Sequence, residues 1–146
     1  MKKNMLLFIL CFTTLTTLQA QEWLTNMEDA KTRAAQEEKA IVLVFQGSDW
    51  CAPCIKLNKE IFESETFQLY AKTHFIMVQA DFPRRKKNAL TPKLQEHNNA
   101  LAERYNKRGI FPFVVVLNEG GTVLGETSYL KITPEKYILE LEKITK

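Results

Sequence analysis

The run Ile41-Val42-Leu43-Val44-Phe45-Gln46-Gly47-Ser48-Asp49-Trp50-Cys51-Ala52-Pro53-Cys54 decides how the chain is read. It opens on uninterrupted apolar residues rich in β-branched side chains, Ile41, Val42 and Val44 among them. Such a run reads as a strand buried on both faces, and therefore central in a sheet. Gly47-Ser48-Asp49 has turn-forming composition. Beyond it Ile55, Leu57, Ile61 and Phe62 recur at helical spacing, so a helix is predicted from Cys51 to about Phe62. The two cysteines thus stand where a strand's end becomes a helix's first turn. Unpaired N–H groups and the positive end of the helix dipole stabilise an anion there and favour thiolate over thiol. Cys54 lies one helical turn past Cys51, within reach of a short disulfide.

Residues 1–20 have the plan of a secretory leader: basic Lys2 and Lys3, an apolar stretch from Met5 to Phe12, and a polar end reaching Ala20. Cleavage after Ala20 is expected, with an uncleaved N-terminal anchor as the alternative. The apolar stretch is short for a mature membrane span. Cys11 follows the bulky Leu10 and is not read as a lipid-bearing cysteine. The remaining residues, 21–146, suffice for one domain with its own core. The chain has 20 basic and 17 acidic side chains; without Lys2 and Lys3, eighteen against seventeen leaves a charge of +1. A near-neutral domain gives no general case for a nucleic-acid partner. Only Cys51 and Cys54 survive cleavage. A two-residue spacer is too tight to staple a fold, so an exported protein with this single pair is expected to use it chemically.

Outward from that stretch, a helix is expected from about Asn26 to Glu38, with Trp23 packed as a lid near its start. Ser64 caps a further helix that ends near Thr73. Phe75 to Ala80 reads as a second strand ending at Asp81. Four consecutive cations, Arg84 to Lys87, follow in a loop. Thr91-Pro92 opens the next helix, whose apolar face carries Leu94, Leu101, Ala102 and Tyr105, and Gly109 closes that unit. Phe113 to Leu117 is a third strand, joined through Asn118-Glu119-Gly120-Gly121 to an antiparallel partner over Thr122 to Thr127. A last helix begins at Thr133-Pro134, with Tyr137, Ile138, Leu141 and Ile144 facing the core. Strands separated by helices and then a hairpin imply an α/β fold, a central mixed sheet flanked by helices.

This order, with two local motifs, resembles the thioredoxin-fold family, and among its members the exported bacterial thioredoxin-like proteins. One motif is Trp50-Cys51-Ala52-Pro53-Cys54; the other is Gly109-Ile110-Phe111-Pro112-Phe113 just before a strand. The likeness spans essentially Gln21 to Lys146, with a lengthened loop and helix segment after the second strand. It implies that Pro112 is cis and faces the dithiol. It also implies that Cys51 is the more exposed nucleophile and that the buried Cys54 resolves the mixed disulfide. Trp50 and Pro53 support the pair, and Trp50, Phe111 and Pro112 are candidates for substrate contact. Phe111 is bulkier than the family's usual residue and is expected to narrow the substrate range. Where thioredoxin itself carries a buried aspartate, six residues before the first cysteine, this chain has Phe45. A lysine usually near that aspartate aligns with Met77. The proton of Cys54 then needs another carrier, a water or a carboxylate such as Glu60.

The implied activity is that of an exported thiol–disulfide oxidoreductase. It needs no cofactor and reduces disulfide-bearing proteins of the periplasm or cell envelope. Its electrons come from a membrane thiol–disulfide donor, and it is expected to be a monomer. A disulfide oxidase or isomerase is the nearest alternative. A Cu(I) metallochaperone is another, although the mature chain has only Met27 and Met77 to assist, both placed for the core. A redox-inert binding domain is a third. Zinc is disfavoured, since beyond the pair only His74 and His97 offer nitrogen, at unrelated spacing. They read as surface or helix-end residues, and Asp49 as a loop cap. The Arg84–Lys87 run could meet an acidic partner or an anionic membrane, but a solvated loop is the simpler expectation.

Overall fold

The apolar run forms strand β2 (Ala40–Gln46), and it is central. The computed structural model describes residues 21–146; the leader expected over 1–20 lies outside the described residues. Strand β3 (Phe75–Asp81) lies parallel to β2 on one side, in a register that pairs Phe45 with Ala80. Strand β4 (Phe113–Leu117) is antiparallel on the other side, pairing Phe45 with Phe113. A hairpin adds β5 (Val123–Thr127) outside β4. A two-residue strand β1 (Trp23–Leu24) lies parallel outside β3. The order is therefore β1-β3-β2-β4-β5.

Because successive residues of a strand point to opposite faces, the sheet carries two cores. Ile41, Leu43 and Phe45 point to one, where they meet Met27, Ala30 and Ala34 of helix α1 (Met27–Glu37) and Leu101 and Tyr105 of helix α4 (Pro92–Tyr105). Val42 and Val44 point to the other. There they meet Leu57 of helix α2 (Ala52–Leu57), Phe67 and Ala71 of helix α3 (Glu65–His74), and Tyr137, Ile138 and Leu141 of helix α5 (Pro134–Thr145). Helices thus cover both faces of a mixed sheet, as expected. The helix starts follow their caps: Asn26, Ser64, Thr91 and Thr133 each accept N–H bonds of the first turn, and Pro92 and Pro134 come next where no donor is needed.

Four expectations need correction. Trp23 is no lid on α1. It belongs to β1, and its ring meets Phe62 edge-on at 5.4 Å, on the sheet face opposite α1. A two-residue strand is too short to leave a period. The helix after Cys51 is not uniform, since α2 passes into a π turn, Asn58–Phe62, in which the Glu63 N–H donates to the Asn58 carbonyl at 2.8 Å. Ile55 is 47% exposed, because Cys54, Leu57 and Ile61 define the buried stripe and Ile55 lies off it. Finally, α4 ends at Tyr105, four residues before Gly109.

Candidate active site

The chain leaves β2 through a tight turn in which the N–H groups of Trp50 (3.3 Å) and Cys51 (2.9 Å) both donate to the Gly47 carbonyl. Cys51 is extended, at φ −90° and ψ 97°, and its Sγ accepts the Cys54 N–H at 3.3 Å. The sulfur therefore occupies the place that a Ser or Asp side chain takes in an ordinary N-cap. Pro53, inside the first turn, has no N–H to offer. A disulfide joins Cys51 and Cys54, whose Cα atoms are 5.3 Å apart. Cys51 is 4% exposed and Cys54 3%, so the expected difference in exposure is absent in this oxidised pair. Closing the bond holds both sulfurs against the first helical turn, and helix position, not exposure, is what separates them.

Trp50 is anchored on several sides. Its indole lies so close over Gly47 that a Cβ there would stand 2.3 Å from Cε2. Its Nε1 donates to the Phe82 carbonyl at 2.7 Å. Phe111 meets the indole edge-on at 5.6 Å and Phe82 at 5.5 Å, so three rings form one cluster on the Trp50 side of the dithiol. The Arg84 guanidinium lies over the indole, 3.6 Å from its centroid.

The Phe111–Pro112 peptide is cis. Asn106, almost fully buried, shapes the loop before it: Oδ1 accepts the Ile110 N–H at 3.0 Å and Nδ2 donates to the Ile110 carbonyl at 2.8 Å. Gly109 sits within that loop at φ 61°, a conformation that favours glycine. Beyond Pro112, Ser128 Oγ donates to the Pro112 carbonyl at 2.6 Å, and the Tyr137 hydroxyl donates to the Ser128 carbonyl at 3.0 Å.

A Thioredoxin-like family model matches residues 22–119, about two thirds of the chain. The chain belongs to the thioredoxin-like family. It is 34% identical over 112 residues to the disulfide bond reductase DsbH of Chlamydia pneumoniae, covering 77% of this chain and 63% of that protein. It is 26% identical over 112 residues to the thioredoxin-related protein DsbJ of the same organism, covering 71% of this chain and 31% of that one. The chain thus spans less than two thirds of the length of these curated relatives. A solved DsbH oxidoreductase superposes with a TM-score of 0.79 at 28% identity, covering 86% of this chain and 85% of that one.

Six residues before Cys51 this thioredoxin-like chain is apolar. Phe45 is fully buried, its ring 6.3 Å from that of Phe113. Met77 is also fully buried but belongs to the other core, on the opposite face of the sheet. In the β2–β3 register the neighbour of Phe45 is Ala80, three residues from Met77. Glu60, considered as a proton carrier, accepts the Tyr129 hydroxyl at 2.5 Å, and that bond raises the Tyr129 phenol above its usual range.

The basic loop is built rather than loose. Asp49 Oδ1 accepts the Arg84 N–H at 2.9 Å; Oδ2 accepts the Arg85 N–H at 3.0 Å and the Asn88 side-chain amide at 2.8 Å. The Arg84 N–H is the main cause that holds the Asp49 carboxyl below the usual aspartate range. A short 3₁₀ turn, Lys86–Asn88, completes the segment. Among the described residues no three or more His, Cys, Asp or Glu side chains group as a metal site. His97 Nε2 accepts the Met27 N–H at 3.2 Å and so caps α1, while His74 stacks on Tyr70 at 3.7 Å. Sequence reasoning missed Asn106, Gly47, Phe82 and Ser128. Asn106 with Gly109, and Gly47 ahead of Trp50, carry readable turn signatures; Phe82 and Ser128 act through contacts between distant segments.

Proposed function

We propose that the chain is an exported thiol–disulfide oxidoreductase that reduces cystines of periplasmic or cell-surface proteins. The observation that carries this reading is the Cys51–Cys54 disulfide at the start of α2, with Cys51 Sγ accepting the Cys54 N–H. In the reduced protein a Cys51 thiolate keeps that donor and faces the positive end of the helix. It attacks one sulfur of a substrate cystine, forming a mixed disulfide and releasing the other substrate sulfur as a thiolate. Cys54, as thiolate, then attacks Cys51 Sγ, closes the observed disulfide and releases the second substrate sulfur. Two electrons pass to the substrate, and two protons go with them. Trp50, Phe111 and the cis Pro112 lie where the entering polypeptide passes. Pro53 stiffens the turn.

The reducing direction is supported by the likeness to a disulfide bond reductase and by a proline between the cysteines. The compartment follows from the leader read over 1–20, and the mature domain from 21–146. Export then calls for a membrane thiol–disulfide donor to regenerate the dithiol, with no cofactor of its own. Among the described residues no helix is long and apolar enough to cross a membrane. The protein is taken to act as a monomer.

Equilibration of the Cys51–Cys54 couple in glutathione buffers tests the direction. A potential near thioredoxin's, about −270 mV, is expected; one near about −120 mV would make the protein a disulfide donor instead. In single-turnover reduction of a model cystine, Cys51→Ser abolishes the reaction, whereas Cys54→Ser stops at a covalent mixed disulfide. Retention of the cellular role by Cys51→Ser would leave a redox-inert binding domain as the better account.

A further inference from the structure

We infer that the Arg84–Lys87 loop is a docking surface for acidic polypeptide next to the cystine being reduced, so that the enzyme prefers disulfides flanked by Asp or Glu. This rests on the reductase reading above and names its substrate class. Three observations carry it. The loop's main chain is fixed, because both carboxylate oxygens of Asp49 are spent on the Arg84 and Arg85 N–H groups and on Asn88. Asp81, the next acid, is likewise occupied by the Ser48 N–H at 2.8 Å and the Ser48 hydroxyl at 2.6 Å. The four cationic side chains are all exposed, and among the described residues none of them makes an ion pair. Asp49 offsets part of the charge, but four cations against one carboxylate leave the surface positive.

The loop is also at the right place. Arg84 lies on the indole of Trp50, the residue before Cys51, and Trp50 touches Phe111, the residue before the cis proline. Charge held on this aromatic cluster meets a substrate in the act of presenting its cystine. A prefixed loop spares the ordering cost that a mobile one would incur on binding. An anionic membrane would satisfy the charge too, but a bilayer lying on Arg84 would cover the Trp50 side of the dithiol, where the substrate must enter. Acidic polypeptide is therefore the better occupant.

The test uses the protein, reduced and freed of reductant, and two cyclic peptides closed by one cystine. They are identical except that the flanking residues are Glu in one and Gln in the other. At about 0.01 M ionic strength the Glu peptide should be reduced about tenfold faster, the low end of electrostatic steering. The ratio should fall towards one at about 1 M, where screening acts within about 3 Å. It should also fall towards one in the variant Arg84→Gln/Arg85→Gln/Lys86→Gln/Lys87→Gln, read as a ratio within that variant. A ratio near one in the unaltered protein at low salt, or a ratio the variant leaves intact, overturns the proposal. So does a ratio near one combined with charge-dependent sedimentation on vesicles of equal phosphatidylcholine and phosphatidylglycerol, which would assign the loop to a membrane. Reduction of neither peptide overturns the reductase reading itself, and the docking surface with it.

Discussion

Gly47→Ala measures how firmly Trp50 is held over the dithiol turn. Gly47 does not adopt a left-handed conformation, so alanine strains no backbone there; what it meets is the indole, at 2.3 Å from Cε2, 2.5 Å from Nε1 and 2.7 Å from Cζ2. A ring that could swing away would make the change cheap. This one is tied down by the bond to the Phe82 carbonyl, the edge contact with Phe111 and the Arg84 guanidinium. Losing the hydrogen bond costs about 1 kcal/mol, the ring pair about 1 kcal/mol, and the cation–π contact about 0.5–1 kcal/mol. Alanine returns about 0.5 kcal/mol by restricting the unfolded chain. The net loss is about 2 kcal/mol, a fall of about 1 M in the urea midpoint at an ordinary slope. The assay is urea unfolding of the oxidised protein by far-ultraviolet circular dichroism, run as a double-mutant cycle with Trp50→Ala. In the Trp50→Ala background Gly47→Ala should be near neutral. An unchanged midpoint for the single variant, or an equal loss in both backgrounds, refutes the anchoring.

Phe45→Asp should lower stability by about 3 kcal/mol or more, since it truncates a buried ring and leaves a charge among apolar side chains; a loss under about 1 kcal/mol would mean that position 45 can reach water or a partner. Asn106→Ala removes both side-chain partners of Ile110 and should cost about 1–3 kcal/mol, with faster hydrogen exchange at the Ile110 amide as the local readout. Folding lowers the Asp49 carboxyl, so its hold on the basic loop is complete above the usual aspartate range and is lost as pH falls through the lowered value. The Arg84 and Arg85 amide resonances should accordingly titrate together with a midpoint below the ordinary 3.8 and lose that step in Asp49→Asn; a midpoint at or above 3.8 would contradict the clamp.

The parts of the fold that announce themselves in sequence are those whose residues answer to their own neighbours. Ile41 to Phe45 is apolar without a break because both cores need it, and Ser64, Thr91 and Thr133 declare helix starts because a cap is a local bond. The Cys51–Cys54 spacing and the motif around Pro112 are local as well. What escaped reading depends on partners far along the chain. Two residues at Trp23–Leu24 become a strand only because β3 offers an edge. The π turn after Leu57 leaves no mark in the apolar period. Arg84 looks like one of four equivalent cations until Trp50 is found beneath it. That Phe45 and Met77 lie in opposite cores has the same origin, since the face each side chain takes is decided by the β2–β3 register.

The bonds from Tyr137 to Ser128 and from Ser128 to Pro112 mean that the cis-proline loop is braced from behind by the last helix and the segment that leads into it. Both donors lie past residue 119, where the family match stops. A transplant of residues 22–119 into another scaffold would carry the cysteines and their turn but leave the Pro112 carbonyl without its clasp and β4 without its outer neighbour. The Cys51–Cys54 turn would be kept, while the cis-proline loop would lose its brace. In this chain the tail serves as scaffolding for chemistry written near the front, and an engineer borrowing one must borrow the other.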